Sequence, residues 1–321
     1  MKLGVFMNLF SGKKFDDALN QVKELGFEAI EIGAGNFAGK EFCNPEELLQ
    51  STEKLNEFIE KINSRGLFIS ALNCSGNPLH PNKKFADSHI NDLELAMELA
   101  HRLGITVVNS FAGCPGADEN SLVPNWITCP WPSYYADAIK WQWEKKILPF
   151  WNKMAKKASR LNLKIGFEMH PGDSVYNPEL LLMLREKIGS DSICCNLDPS
   201  HLFWQGIDPI ISIKKLKDLI VHVHAKDTKI DDDVVRYRGV LDWKHYSDVI
   251  NRAWSFRTVG YGNDLKFWNS FFSTLRIINF DGVISIEHED PLMSVEEGLL
   301  KAINFLKNSI LFKKPTQMWW A

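Results

Sequence analysis

KIGFEMHPG (164–172), CCNLDPSH (194–201), IVHVHAKD (220–227) and VISIEHEDP (283–291) follow one plan: each opens apolar and closes on ionisable side chains. Side chains alternate faces along a strand. Glu168 and His170 therefore share a face, as do His222 and His224, and Glu287 and Glu289. Four successive strands that deliver Glu168, Asp198, His224 and Glu287 to one rim make a poor apolar core, because carboxylates are rarely buried unless paired or bound to a cation.

Working outward, the same kind of run recurs upstream, at Leu3–Asn8, Ala29–Gly33, Leu67–Cys74 and Thr106–Phe111. With Lys164–His170, Ile193–Asp198, Leu219–Ala225 and Gly282–His288 that makes eight strands. Amphipathic helical stretches separate them: Phe15–Leu25, Pro45–Arg65, Phe85–Leu103, Trp141–Leu161, Pro178–Ile188, Pro209–Leu216, Asp264–Ile278 and Ser294–Leu311. Gly26, Gly66, Gly104 and Gly282 precede strands, as helix C-caps feeding a strand do. Strand–helix alternation with apolar strands predicts a parallel sheet. Eight units in 321 residues predict one α/β domain over 1–321, a closed (β/α)₈ TIM barrel. No G-x-G-x-x-G follows the first strand, which weighs against a dinucleotide fold.

Two connections exceed a turn, about Ala112–Lys140 after strand four and about Lys226–Asn263 after strand seven. Long loops in a compact domain are usually functional, and both lie on the face where barrel enzymes keep their sites. The tail PTQMWWA is expected to be an exposed end or a partner contact.

Composition sets the outer bounds. Lys and Arg number 37 against 40 Asp and Glu, a formal net charge of −3, so nothing asks for a nucleic-acid partner. The six cysteines form no C-x-x-C pair and are expected as buried reduced thiols. No run is long and apolar enough to span a membrane, the start lacks a signal h-region, and the cytoplasm is the default location.

Three clustered carboxylates would repel one another, and a divalent ion removes that repulsion. Three carboxylates with one imidazole suit Mn²⁺, expected here, or Zn²⁺, Co²⁺ or Mg²⁺. Around this rim, His80 and Asn77 follow strand three, and Glu31 and Asn109 end strands two and four, with substrate contact or packing as alternatives. Trp126, Trp131, Trp141 and Trp143 offer a stacking wall, with core or interface roles as alternatives. His222 is expected to be buried behind His224, and Lys226 and Asp227, which follow His224, are further site candidates with a salt bridge around the ligands as the alternative.

At FEMHPG, NLDPSHLFWQG, VHVHAKD, RTVGYG and ISIEHED the sequence resembles the xylose isomerase-like TIM-barrel family of sugar isomerases and epimerases, over essentially its whole length. The resemblance implies that Glu168, Asp198, His224 and Glu287 hold one metal, that His201 and Arg257 contact substrate, and that Glu168 and Glu287 shuttle a proton. His170 and the Trp-rich loop depart from a plain epimerase. With Pro124–Pro132, FEMHPG and HVHAKDT they resemble the large subunit of C-glycoside-cleaving enzymes, which act on 3-oxo-sugars and pair with a small β subunit.

The expected chemistry is proton removal beside a carbonyl, giving a metal-stabilised enediolate, with Glu168, Glu287 or His170 as base. Reprotonation gives an epimer or an isomer. Expulsion of a β substituent makes the enzyme a lyase. The expected partners are a small sugar or glycoside, other copies in a homo-oligomer and, for the lyase, a small subunit. A DNA-repair endonuclease would need more histidine ligands and a basic groove, and a non-catalytic sugar-binding barrel leaves the four intact ligands unexplained.

Overall fold

A computed structural model describes residues 1–320. Eight parallel strands close on themselves: β1 (Lys2–Phe6), β2 (Ala29–Gly33), β3 (Phe68–Asn73), β4 (Val107–Ser110), β5 (Lys164–Glu168), β6 (Ile193–Leu197) and β7 (Ile220–Ala225), with β10 (Val283–Ile286) as the eighth. β10 pairs with both β7 and β1, which seals the barrel. The expected closed α/β barrel is what forms. Its strands are buried on both faces, which is why they carry near-continuous apolar runs.

Local chemistry sets the helix bounds. Asn82 accepts from the backbone N–H groups of Lys84 and Phe85 and starts the helix Lys83–Leu103, which Gly104 ends in the left-handed conformation. Asn177 and Asp208 cap the helices that open at Pro178 and Pro209, where a missing N–H costs nothing. The stretch expected as one helix over Pro45–Arg65 is two, Pro45–Gln50 and Thr52–Asn63, because Ser51 is extended and caps the second.

Both long connections hold more order than expected. The helix after strand four starts at Ser133, passes through a π-helical segment at Gln142–Ile147, and runs on to Arg160. The loop is correspondingly shorter. After β7 the chain makes a two-stranded antiparallel ribbon, β8 (Asp227–Ile230) on β9 (Trp254–Arg257), around a short helix at Asp232–Arg238. Ribbon partners far apart in sequence, with a polar first strand, leave no periodic signal to find. Trp204, Ala253, Trp254 and Phe256 give this insertion its own small apolar core.

The register slips in two places, next to Glu31 where β2 meets β3 and next to Asn196 where β6 meets β7. Such bulges re-aim side chains, and both of these residues belong to the network under the site. Cys43, Cys74, Cys114, Cys194 and Cys195 are buried free thiols, whereas Cys129 is exposed. Among the described residues no helix is long and apolar enough to cross a membrane. Met318, Trp319 and Trp320 of the tail are exposed.

Candidate metal centre

Glu168, Asp198, His224 and Glu287 come from the C-terminal ends of β5, β6 and β7 and from just past β10. One ligand atom from each lies within 4.8 Å of all the others. His224 Nδ1 is 3.3 Å from Glu168 Oε2, 3.4 Å from Glu287 Oε2 and 3.9 Å from Asp198 Oδ2. Its other nitrogen, Nε2, lies 2.8 Å from Glu31 Oε2 on the far side of the barrel. A carboxylate only accepts, so Nε2 carries a proton towards Glu31, while Nδ1 faces the three carboxylates.

That arrangement calls for a cation. His224 Nδ1 is buried with no hydrogen-bond partner, as buried polar atoms rarely are, and Glu168, Asp198 and Glu287 bring three carboxylates together around it. Burial works against charging His224, but Glu31, Glu287 and Glu168 outweigh it and raise its pKa well above the usual value, so without an ion Nδ1 takes up a proton, which a metal ion in its place would displace. Burial likewise pushes Glu168 up, yet His224, His201 and Lys226 hold it well below the usual carboxylate range. The donor set, three carboxylates and one imidazole nitrogen, fits a divalent ion.

Beneath the ligands the barrel is polar. Asn73 and Asn109 each donate to Glu31 Oε1 at 2.8 Å. Asn196 lies 3.1 Å from His224 Nε2 and 3.0 Å from His222 Nδ1. Burial pushes Glu31 up, but His224 and His222 bring it down to about 2. Gly166 makes room for this layer, since a Cβ there would lie 2.4 Å from Asn109 Oδ1.

Lys226 is the residue whose importance the sequence understated. Fully buried, its ammonium lies 2.6 Å from Glu287, 3.1 Å from Asp198 and 3.2 Å from Glu289. Its place two residues after His224, on the same strand face, was the available signal. Asn196 stands in the same relation to Asp198. Asp227, next to Lys226, accepts from the backbone N–H groups of Gly260, Gly262 and Asn263 and pins the RTVGYG turn.

A cavity of about 620 Å³ opens above the ligands, and Glu168, Glu287, His170, His80 and Asn77 line it, as do Phe6, Asn8, Phe111 and Asp173. His170 Nδ1 is 2.6 Å from the Pro171 carbonyl oxygen, so it donates there and leaves Nε2 as an acceptor. Burial and then His201 lower His170 to about 3, and burial raises Asp173 to about 8. Other residues singled out from the sequence lie elsewhere. His201 is buried, with Nε2 3.0 Å from Glu168 Oε1. Arg257 donates to Asp290 at 3.0 Å. Asn109 belongs to the layer below the ligands, with its amide given to Glu31. Trp131 is exposed and off the wall of this cavity, while Trp126 lines a separate hollow with Tyr176. His222 is buried beneath His224, 3.2 Å from Ser70.

The model of the xylose isomerase-like TIM barrel family matches residues 19–309. The uncharacterized protein YfiH of Bacillus subtilis (strain 168) is 39% identical over 313 residues, covering 97% of this chain and 99% of that one. An inosose dehydratase of Clostridium tetani is 31% identical over 141 residues, 44% of this chain and 45% of that one. Among solved structures, that of the IOLI protein with a bound zinc atom superposes with a TM-score of 0.64 at 19% identity, covering 99% of this chain and 100% of that one. The chain belongs to the xylose isomerase-like TIM-barrel family.

Proposed function

We propose that this protein is a divalent-metal-dependent sugar isomerase or epimerase that moves a proton on the carbon beside a carbonyl. One observation carries the reading: Nδ1 of His224, facing three convergent carboxylates, lies under a cavity that Glu168 and Glu287 themselves line. Glu168, Asp198, His224 and Glu287 would hold the ion. Bound there, a divalent cation supplies charge to offset the oxyanion that develops when the proton leaves.

The protein's own groups divide the remaining work. Glu168 and Glu287, both held ionised by the cations around them, reach the cavity from β5 and from beyond β10. They supply acceptors for a proton on two sides of a bound sugar. His201, bonded to Glu168, orients that carboxylate. His170, neutral at neutral pH, adds a third acceptor through Nε2. Phe6, Phe37 and Phe111 line the cavity with apolar surface against which a sugar ring can pack. Mn²⁺ is the ion proposed, with Zn²⁺, Co²⁺ and Mg²⁺ as alternatives. The substrate is a neutral keto-sugar or glycoside.

His170 and Asp173 on the cavity wall favour a second reading, a lyase. Asp173, whose carboxyl burial raises to about 8, would give a proton to a departing β substituent, and the neutral imidazole of His170 would take one from the carbon. Dehydration of a keto-sugar or cleavage of a 3-oxo-glycoside would follow, the latter with a small partner subunit. The inosose dehydratase relative supports this branch.

The test is hydrogen–deuterium exchange followed by NMR in D₂O, with Mn²⁺-loaded protein and a panel of ketoses, inositol ketones and 3-oxo-glycosides. Deuterium wash-in at one carbon, absent in Glu287→Gln, supports proton transfer. Product formation with loss of a β substituent selects the lyase. Metal-loaded protein that exchanges nothing sinks both readings.

A further inference from the structure

The insertion after β7 shows solvent a face that one chain leaves unused. Its short helix, Asp232–Arg238, packs Val234 and Val235 against the cluster of Trp204, Ala253, Trp254 and Phe256. That leaves Asp232, Asp233, Arg236, Tyr237 and Arg238 exposed. The two acids stand in the first turn and the two arginines in the last. Among the described residues none of these four charges is ion-paired, whereas Lys244, further along the insertion, pairs with Asp242. Arg252 donates to the carbonyl oxygens of Lys244 and Trp254.

Apolar side chains border the helix. Tyr237 is 87% exposed, Leu241 69%, Trp243 92% and Ile250 89%. Leu122 and Val123, in the loop after β4, are exposed as well. Trp126 of that loop packs on the insertion's core, so the two loops adjoin. A single exposed apolar residue needs no explanation, but a run of them beside unpaired charges marks a surface that another molecule covers.

We propose that this face is where two copies of the chain meet, with the helix Asp232–Arg238 lying antiparallel to its copy about a two-fold axis. Charge selects the occupant. Antiparallel pairing sets Asp232 and Asp233 of each copy against Arg236 and Arg238 of the other, so every attraction forms twice. A uniformly basic or acidic partner would satisfy one end of the helix and be repelled by the other. Tyr237, Leu241, Trp243 and Ile250 supply the apolar centre that such a contact needs. The dipole of the helix also favours acids at its start and bases at its end, but it asks nothing of Trp243 or Ile250. The proposal does not depend on the reaction at the metal centre.

Sedimentation equilibrium of the full-length chain over a range of concentrations tests it. The parent should reach twice the mass of the chain. Arg236→Glu with Arg238→Glu makes both ends of the helix acidic, and Asp232→Lys with Asp233→Lys makes both ends basic. Each double variant should repel its own copy and raise the dissociation constant by at least about tenfold, the scale of a like-charge contact. Mixed in equal amounts, the two variants should recover a dimer, because acidic ends then meet basic ends. Trp243→Ser with Ile250→Ser should also give a monomer, and since both side chains are almost fully exposed, circular dichroism should not change. A parent that stays monomeric, alone or bound through this face to a different chain, would overturn the proposal. So would a dimer indifferent to both charge reversals, or reversed variants that fail to pair when mixed.

Discussion

Glu31 Oε2 accepts a hydrogen bond from His224 Nε2 at 2.8 Å, from β2 to β7 across the barrel. The bond fixes the tautomer that presents Nδ1 to the other ligands, and partners of this kind typically account for 10–100-fold in metal affinity. Glu31→Gln keeps the shape and removes the charge. Competitive titration with a chelating dye should show Mn²⁺ or Zn²⁺ affinity falling by about 10–100-fold, with little change in circular dichroism. Unchanged affinity would refute the link.

Metal should stabilise the fold. An ion that binds only the folded chain adds about 2.7 kcal/mol at a hundred times its dissociation constant. Thermal unfolding should therefore move upward with added Mn²⁺ or Zn²⁺ and return on chelation. Asp198→Asn should largely abolish the shift, since Asp198 offers one of the four convergent oxygen and nitrogen atoms of the candidate site.

Lys226 is the internal counter-charge for Asp198, Glu287 and Glu289. Removing one partner of a buried ionic cluster costs about 3–5 kcal/mol. Lys226→Met should destabilise the metal-free protein by that order in urea titrations. The metal-saturated protein should lose less, so the metal-induced gain in stability should be larger than in the parent. Equal losses in both states would show that the lysine does not share the ion's electrostatic role.

Gly166→Ala tests the packing of the polar layer. The added methyl would collide with Asn109 Oδ1, which belongs to the residue that supports Glu31. Overpacking of this sort costs about 1–3 kcal/mol. Here metal affinity should also weaken, because Glu31 positions His224. A loss of stability with full metal affinity would confine the glycine's role to packing.

The insertion should loosen in acid before the barrel does. Burial pushes Asp242 up, but Lys244 and the backbone N–H of Ala253 bring it down to about 2. A carboxyl with a lowered folded-state pKa stabilises above its unfolded value, near 3.9, and that contribution fades as pH falls through about 2. Amide exchange over 242–254, corrected for intrinsic rates, should accelerate between pH 4 and pH 2. In Asp242→Asn it should already be fast at pH 5, with little further pH dependence.

The sequence by itself determined the barrel and the meeting of Glu168, Asp198, His224 and Glu287 at one rim. Parallel strands buried on both faces must be apolar along their length, so a polar ending such as FEMH or HVHAKD stands out, and eight such strands in order leave one closed arrangement. Glu168, Asp198, His224 and Glu287 were legible because each departs locally from its own strand. Only the tertiary structure decided what stands around them. Glu31 and His224 are 193 residues apart, and no local pattern says that the barrel diameter brings them to hydrogen-bond distance. Lys226 was visible as a cation beside a ligand, but that it inserts between Glu287 and Asp198 depends on how β7, β10 and β6 are spaced. Trp131, expected at a sugar-stacking wall, is exposed, while Tyr246 stacks on Phe256 in an insertion whose strands pair across more than twenty intervening residues. Local periodicity reports which face of a strand is buried, whereas closure of the barrel sets which residues meet across it.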